Sequence, residues 1–141
     1  MIALLPWPPS INHYWRHVGK MTLISSEGRK YRKAVVGSGA PHELEGRLAM
    51  LILIAPPDRR RRDVDNIQKP LLDALEHAGA YGNDGNIDLL ITDRDEVVKG
   101  GCVVVCVEEL PARGNEGAWL DRMLGQARRV AEKRRRGREE E

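Results

Sequence analysis

The sequence predicts an α+β domain: a two-layer mixed sheet with helices packed on one face, followed by an amphipathic C-terminal helix. Three observations carry this. The octet Leu48–Ala55 is wholly aliphatic apart from Met50 and ends at Pro56-Pro57, the pattern of a buried strand. Over residues 1–110 the patterns run strand, strand, helix, strand, helix and then two strands, a mixed order that argues for α+β rather than a repeated strand–helix unit. Beyond Gly117, apolar residues recur at helical spacing among charged ones.

Taken in order, Ile2–Leu5 reads as a short strand, and Pro6-Trp7-Pro8-Pro9-Ser10 as an extended loop because its three prolines exclude helix. Met21–Ile24 fits a second strand. Ser25-Ser26-Glu27 supplies an N-cap for a helix through about Val36, which Gly37-Ser38-Gly39-Ala40-Pro41 ends. After Leu48–Ala55, a charged loop leads into a helix from about Asp65 to Ala78, with Leu71, Leu72, Leu75 and Ala78 as its apolar stripe and Gly79 at its end. Pro70 fits only in or near a first turn, so that helix starts late or bends there. Tyr81–Asn86 is turn chemistry. Ile87–Thr92 and Val97–Val98 alternate with charges, and Lys99-Gly100-Gly101 reads as a hairpin turn into a returning strand, Cys102–Val107. Residues 1–110 form one domain, and 111–141 a linker (Pro111–Gly117) plus a basic helix. Trp119, Leu120, Met123, Leu124, Ala127, Val130 and Ala131 make the apolar side of that helix, which runs into a solvated charged end.

At 141 residues the chain is long enough for a core without disulfides. Its net charge of +2 is small but uneven: residues 1–110 hold 14 Lys and Arg against 15 Asp and Glu, whereas residues 111–141 hold 9 against 6. A near-neutral body with local basic clusters suits a nucleic-acid enzyme better than a coating protein, which is basic throughout. Cys102 and Cys106 share a strand face about 13 Å apart, too far for a disulfide, and read as core thiols in a reducing compartment. The N-terminus has no basic leader region and no run reaches membrane-spanning length, so a soluble, cytoplasmic protein is expected. Phosphate-binding loops, nucleophile elbows, paired zinc motifs and dinucleotide fingerprints are absent from the sequence.

The chemistry concentrates in Asp58-Arg59-Arg60-Arg61-Arg62-Asp63-Val64-Asp65-Asn66-Ile67-Gln68-Lys69. Arginines attract phosphate and carboxylates repel it, so a site holding both calls for a hard cation between carboxylates and phosphate. Asp63 and Asp65 are the first candidates as ligands, and oxygen-only donors suit Mg²⁺, with Mn²⁺ able to substitute. Their alternative role is to cap the following helix and complement its dipole. Arg59, Arg60, Arg61 and Arg62 are candidates to grip a nucleic-acid backbone through forked phosphate contacts. Asn66 can steady a carboxylate or phosphate through its amide. Lys69, one turn beyond Asp65, either meets phosphate or makes a surface salt bridge. Asp84 reads from spacing as a turn residue; a helix of about 14 residues is roughly 21 Å long, so the chain must double back for Asp84 to reach the other two aspartates, unless its partners lie on another subunit. His13 and His17 flank Tyr14, Trp15 and Arg16, with Lys20 close behind; this interleaving in a proline-rich loop suits stacking or backbone contact with nucleic acid, through Arg16 and Lys20, or plain packing, better than metal ligation.

In order, Leu5-Pro6-Trp7-Pro8-Pro9-Ser10 with Asn12, Ser26-Glu27-Gly28 with Tyr31-Arg32, the Asp58–Asn66 run with Lys69, Asp73-Ala74-Leu75, Ala78-Gly79, Asp84 and Lys99-Gly100-Gly101 resemble the RusA family of Holliday junction resolvases from bacteria and their phages. The resemblance covers about residues 2–109 and leaves the tail outside it. It implies a small homodimeric, Mg²⁺-dependent endonuclease acting on four-way DNA junctions in recombination and repair by paired symmetric nicks. No nucleotide cofactor and no membrane are expected. The family's three catalytic acids and one lysine fall on Asp63, Asp65, Asp84 and Lys69, and ligatable 5′-phosphate and 3′-hydroxyl ends are implied. Where relatives often carry two acids side by side, this chain has Asn83 before Asp84, and Tyr81-Gly82 is less bulky than some relatives at that turn. The alternatives are a non-enzymatic branched-DNA-binding protein, or a nuclease for flaps or forks.

Overall fold

The computed structural model describes residues 1–39, 43–110 and 113–139. Its centre is the aliphatic octet. β4 (Leu48–Ala55) is buried along its whole length. It lies between β5 (Ile87–Arg94), which runs parallel to it, and β6 (Cys102–Glu109), which runs antiparallel. β1 (Ile2–Pro6) pairs antiparallel with the far side of β6, giving the order β1-β6-β4-β5.

Strand alternation sorts the core into two faces. Leu48, Met50, Ile52 and Ile54 join Val103, Val105 and Val107 under α2 (Ser26–Gly37) and α3 (Gln68–His77), whose Tyr31, Val35, Leu71, Ala74 and Leu75 are buried there. Ala49, Leu51, Leu53, Val104 and Cys106 point the other way and are covered by Trp119, Met123, Ala127 and Ala131 of α4 (Glu116–Glu139). The tail helix therefore adds a third layer. Its last turns carry an anchor within the charged end: the Arg135 guanidinium reaches Asp95 at 3.3 Å and Glu96 at 3.0 Å. Arg122 forks onto Glu108 and Arg128 stands 3.7 Å from Asp93.

The hairpin expected of the last two strands is corrected. Lys99-Gly100-Gly101 does form a turn, with Gly101 N donating to Val98 O at 2.7 Å, but β5 and β6 do not pair with each other. Their connection arches over the end of β4, where Asp95 N donates to Ile54 O and Val98 N to Pro56 O. An octet that is apolar on both faces needs a neighbour on each side to keep its backbone groups paired. β5, which alternates and carries Asp88, Asp93 and Arg94, tolerates the edge. Gly101 has φ 67°, and a Cβ there would stand 2.9 Å from Trp7 Cβ and 3.0 Å from Pro57 Cδ. Only glycine lets the proline-rich loop, the end of β4 and the start of β6 meet so closely.

The segment after that loop also departs from expectation. In place of irregular chain through residue 20, α1 (Ile11–Tyr14) is followed by β2 (Trp15–Val18), which pairs with β3 (Met21–Ile24) as a separate two-stranded hairpin. The expected strand at Met21–Ile24 is found at those bounds. Ser25 caps α2 by accepting from Gly28 N at 3.0 Å, as its position predicts. The helix expected from Asp65 is split: Val64–Ile67 is a 3-10 turn and the α-helix begins at Gln68, which accommodates Pro70 in its first turn. Gly79, at φ 86°, ends α3. Pro41 and Pro111, read as breaks between elements, lie outside the described residues. Cys102 and Cys106 are buried and form no disulfide, and burial pushes the Cys106 thiol up to about 11. Among the described residues no helix is long and apolar enough to cross a membrane.

Candidate nucleic-acid and metal site

The charged segment leaves the carboxyl end of β4, the end of the sheet where the arching β5–β6 connection also passes. Asp58 organises it. Its carboxylate accepts from Arg60 N at 2.9 Å and from the Arg60 guanidinium at 2.9 and 3.1 Å. It also takes a two-pronged contact from Arg62 at 2.5 and 2.9 Å. Hydrogen bonds from Arg62 and then Arg60 hold the Asp58 carboxyl well below the usual carboxylate range. Arg94, at the end of β5, closes the loop by donating to Arg62 O at 2.6 Å. The four arginines are thus not equivalent. Arg60 and Arg62 are folded onto Asp58, whereas Arg59 and Arg61 are exposed and have no ion-pair partner among the described residues. Sequence reasoning assigned no part to Asp58 or Arg94; the i,i+2 and i,i+4 spacing of Asp58 to Arg60 and Arg62 was the available signal for the first.

A cavity of about 370 Å³ opens between this loop and the proline-rich loop. Trp7, Pro8, Pro9, Ser10 and His13 form one wall; Arg60, Arg62, Asp63, Asn66 and Ile67 form the other. Asp63 is the residue before the 3-10 turn and makes no side-chain cap bond, so its carboxylate is not spent on capping. Asp65 lies within that turn and is exposed, and Asn66 is half-buried.

Asp84 does return. After Gly79 the chain runs back along α3: Ala80 N donates to Leu75 O at 3.0 Å, and the buried Tyr81 donates its hydroxyl to Leu72 O at 2.7 Å. Asp84 then pairs with the Lys69 ammonium, so Lys69 meets Asp84 rather than Asp65. The hydrogen bond that Lys69 donates to Asp84 outweighs partial burial and raises the Lys69 pKa, so Lys69 is a cation at neutral pH in this pairing. The chemistry of the donor set, three carboxylates reachable by solvent with no thiolate, suits a hard divalent ion. The geometry is looser: among the described residues no three His, Cys, Asp or Glu side chains stand together as a metal centre.

Behind Lys69, Asp73 accepts from Tyr14 at 2.6 Å and from Arg32 at 2.6 Å, and Arg32 Nε donates to the Tyr14 hydroxyl at 2.8 Å. Burial pushes Asp73 up, but these two hydrogen bonds outweigh it and hold the carboxyl below its ordinary value. Burial raises the Tyr14 phenol. The triad locks α1, α2 and α3 together beneath the Lys69–Asp84 pair, and sequence reasoning missed its role. Arg16 and Lys20 stand exposed on the β2–β3 hairpin, and no contact among the described residues joins them to the arginine loop. His13 Nδ1 lies 3.2 Å from Ser10 Oγ and His17 Nδ1 3.2 Å from Thr22 Oγ1.

Comparison with known proteins points the same way. Residues 6–108 match the family model described as Endodeoxyribonuclease RusA. A crossover junction endodeoxyribonuclease of Enterobacteria phage HK97 is 41% identical over 111 residues, 76% of this chain and 92% of that protein. The protein of the same description from Enterobacteria phage 82 is 41% identical over 116 residues, 79% of this chain and 94% of its own length. Its counterpart in Escherichia coli K12 is 40% identical over 116 residues, with the same coverage of each chain.

Proposed function

Since the chain belongs to the RusA family of endodeoxyribonucleases, we propose that it resolves four-way DNA junctions by hydrolysing phosphodiesters in opposed strands with Mg²⁺. The observation that carries this reading is the joining of arginines and carboxylates in one segment at the end of the central strand, beside a 370 Å³ cavity. Asp63, Asp65 and Asp84 would hold the ion, with Mn²⁺ able to replace Mg²⁺. When bound, the metal supplies a water of lowered pKa and positive charge for the phosphate. Sharing one ion requires the three carboxylates to draw together from where they stand, with Asp84 leaving Lys69.

The chain's own residues do the rest. Lys69, held as an ammonium, meets negative charge on the phosphate as it builds. Arg59 and Arg61 are free to take backbone phosphates, and Arg60 and Arg62 present guanidinium edges into the cavity while Asp58 fixes their direction. Asn66 steadies the same region. A four-way junction has approximate two-fold symmetry, so a homodimer sets one site against each of two strands. Arg16 and Lys20 would meet the arms. The bacterial and phage sources of the relatives fit action on DNA in the cytoplasm.

The test is a synthetic mobile junction with and without Mg²⁺, beside forked, flapped and linear duplexes. Paired nicks in the junction, lost in Asp65→Asn by at least about a hundredfold, are expected. Tight binding with no cleavage under any divalent ion would instead make the protein a branched-DNA binder. Preference for flaps or forks would change the substrate and keep the chemistry.

A further inference from the structure

We propose that the outward face of α4 is a second DNA-backbone contact, an extension of the arginine loop that lies outside the family domain. The inference rests on the reading of the protein as DNA-binding. The family match ends at residue 108, and α4 begins at Glu116. Three observations set its role.

First, α4 divides its basic residues by task. Arg122, Arg128 and Arg135 are consumed in pinning the helix to Glu108, Asp93 and the Asp95–Glu96 pair. Arg129, Lys133 and Arg136 are not: they recur at i, i+4 and i+7, are exposed, and have no ion-pair partner among the described residues. Together with Glu132 they border a shallow surface cavity of 220 Å³. One carboxylate, Glu132, stands among three cations on this stripe, which leaves a net surplus of positive charge facing solvent.

Second, the helix is docked and not a loose tail. Trp119, Met123, Ala127 and Ala131 are buried on the sheet, so the opposite stripe faces solvent as a fixed surface. From Arg129 to Arg136 it spans about 10 Å, the axial rise of about three nucleotides in one strand.

Third, the basic end of α4 arrives at the same end of the sheet as the arginine loop. Arg135 reaches Asp95, Asp95 N donates to Ile54 O near the end of β4, and Arg94 beside it donates to Arg62 O. Acidic side chains do face this region: Asp93, Asp95 and Glu96 are each already paired to Arg128 or Arg135, and Glu132 stands among the three exposed cations. Arg129, Lys133 and Arg136 outnumber that one carboxylate and define the local sign. The partner these cations fit is the phosphate backbone, read without sequence preference.

The experiment uses the full-length double variant Lys133→Ala with Arg136→Ala, which keeps helix propensity and alters only exposed positions. Binding to a four-way junction is measured in chelator at several NaCl concentrations. Loss of two phosphate contacts reduces the slope of log Kd against log salt by about 2, and junction and linear duplex are affected alike. Arg129→Ala alone reduces it by about 1. Unchanged slope and affinity in both variants, with thermal midpoints as in the unmodified protein, overturns the proposal. Cleavage by the unmodified protein is scored separately: a protein that never cuts yet shows the tail-dependent slope loses the nuclease reading and keeps this one.

Discussion

Arg32 and Asp73 show how a single pair can support chemistry that neither performs. Both are mostly shielded from water, at 22% and 17% side-chain exposure, so the pair is not discounted as a surface salt bridge. Arg32→Ala leaves the Asp73 carboxylate short of a donor and should cost about 2 kcal/mol, several degrees in thermal midpoint. Because Asp73 is held below its ordinary value in the folded protein, it contributes stability that is complete above about pH 4 and is lost as pH falls through the lower folded value. The gap in midpoint between wild type and Arg32→Ala should therefore narrow between pH 6 and pH 3, and a gap that widens would contradict the assignment. Lys69 is the complementary case. A lysine is cationic at neutral pH with or without Asp84 beside it, so Lys69→Gln should slow single-turnover junction cleavage by about a hundredfold while changing Kd by less than about threefold. A pH profile for cleavage that loses a basic limb in Lys69→Gln would instead mark it as a titrating group.

Elements differ in how far the sequence announces them. β4 was legible to the residue, because an aliphatic octet between charged segments admits one reading, and the start of α2 to within a residue, because either of two serines before Glu27 could cap it. The 3-10 turn before α3 was foreshadowed by Pro70. The pairing of β5 was not legible: a Gly-Gly turn signals a reversal of direction, but not which strand lies alongside, and burial of both faces of β4 decided that. α1 and β2 were hidden by the prolines that precede them and by their own aromatics, which fit a stacking loop as well as a tucked helical turn whose Tyr14 is fully buried. The return of Asp84 was invisible for a related reason, since it depends on Tyr81 lying back along α3. For α4, amphipathicity was plain but its destination was not. Trp119 is 3% exposed against the sheet, so Trp119→Ala should cost about 3 kcal/mol in a urea melt. A change below about 0.5 kcal/mol would mean that the helix does not contribute to the fold.

At the scale of the molecule, one sheet end gathers the arginine loop, the proline-rich loop, Arg94 and the last turns of α4, while the opposite end carries no comparable concentration of unpaired cations among the described residues. That polarity matters more than the net charge of +2, which conceals it. Asp63, Asp65 and the four arginines could be read together from the sequence because they are adjacent in the chain; the position of the tail beside them required knowing which sheet face the helix covers.

Gly101 brings three segments of the chain to one point. Trp7 and Pro57 lie against its bare backbone, so the two loops facing across the cavity are riveted together where neither carries a charge. A side chain at position 101 would prise the proline-rich loop from the end of β4, and so alter the opening without touching any residue that lines it.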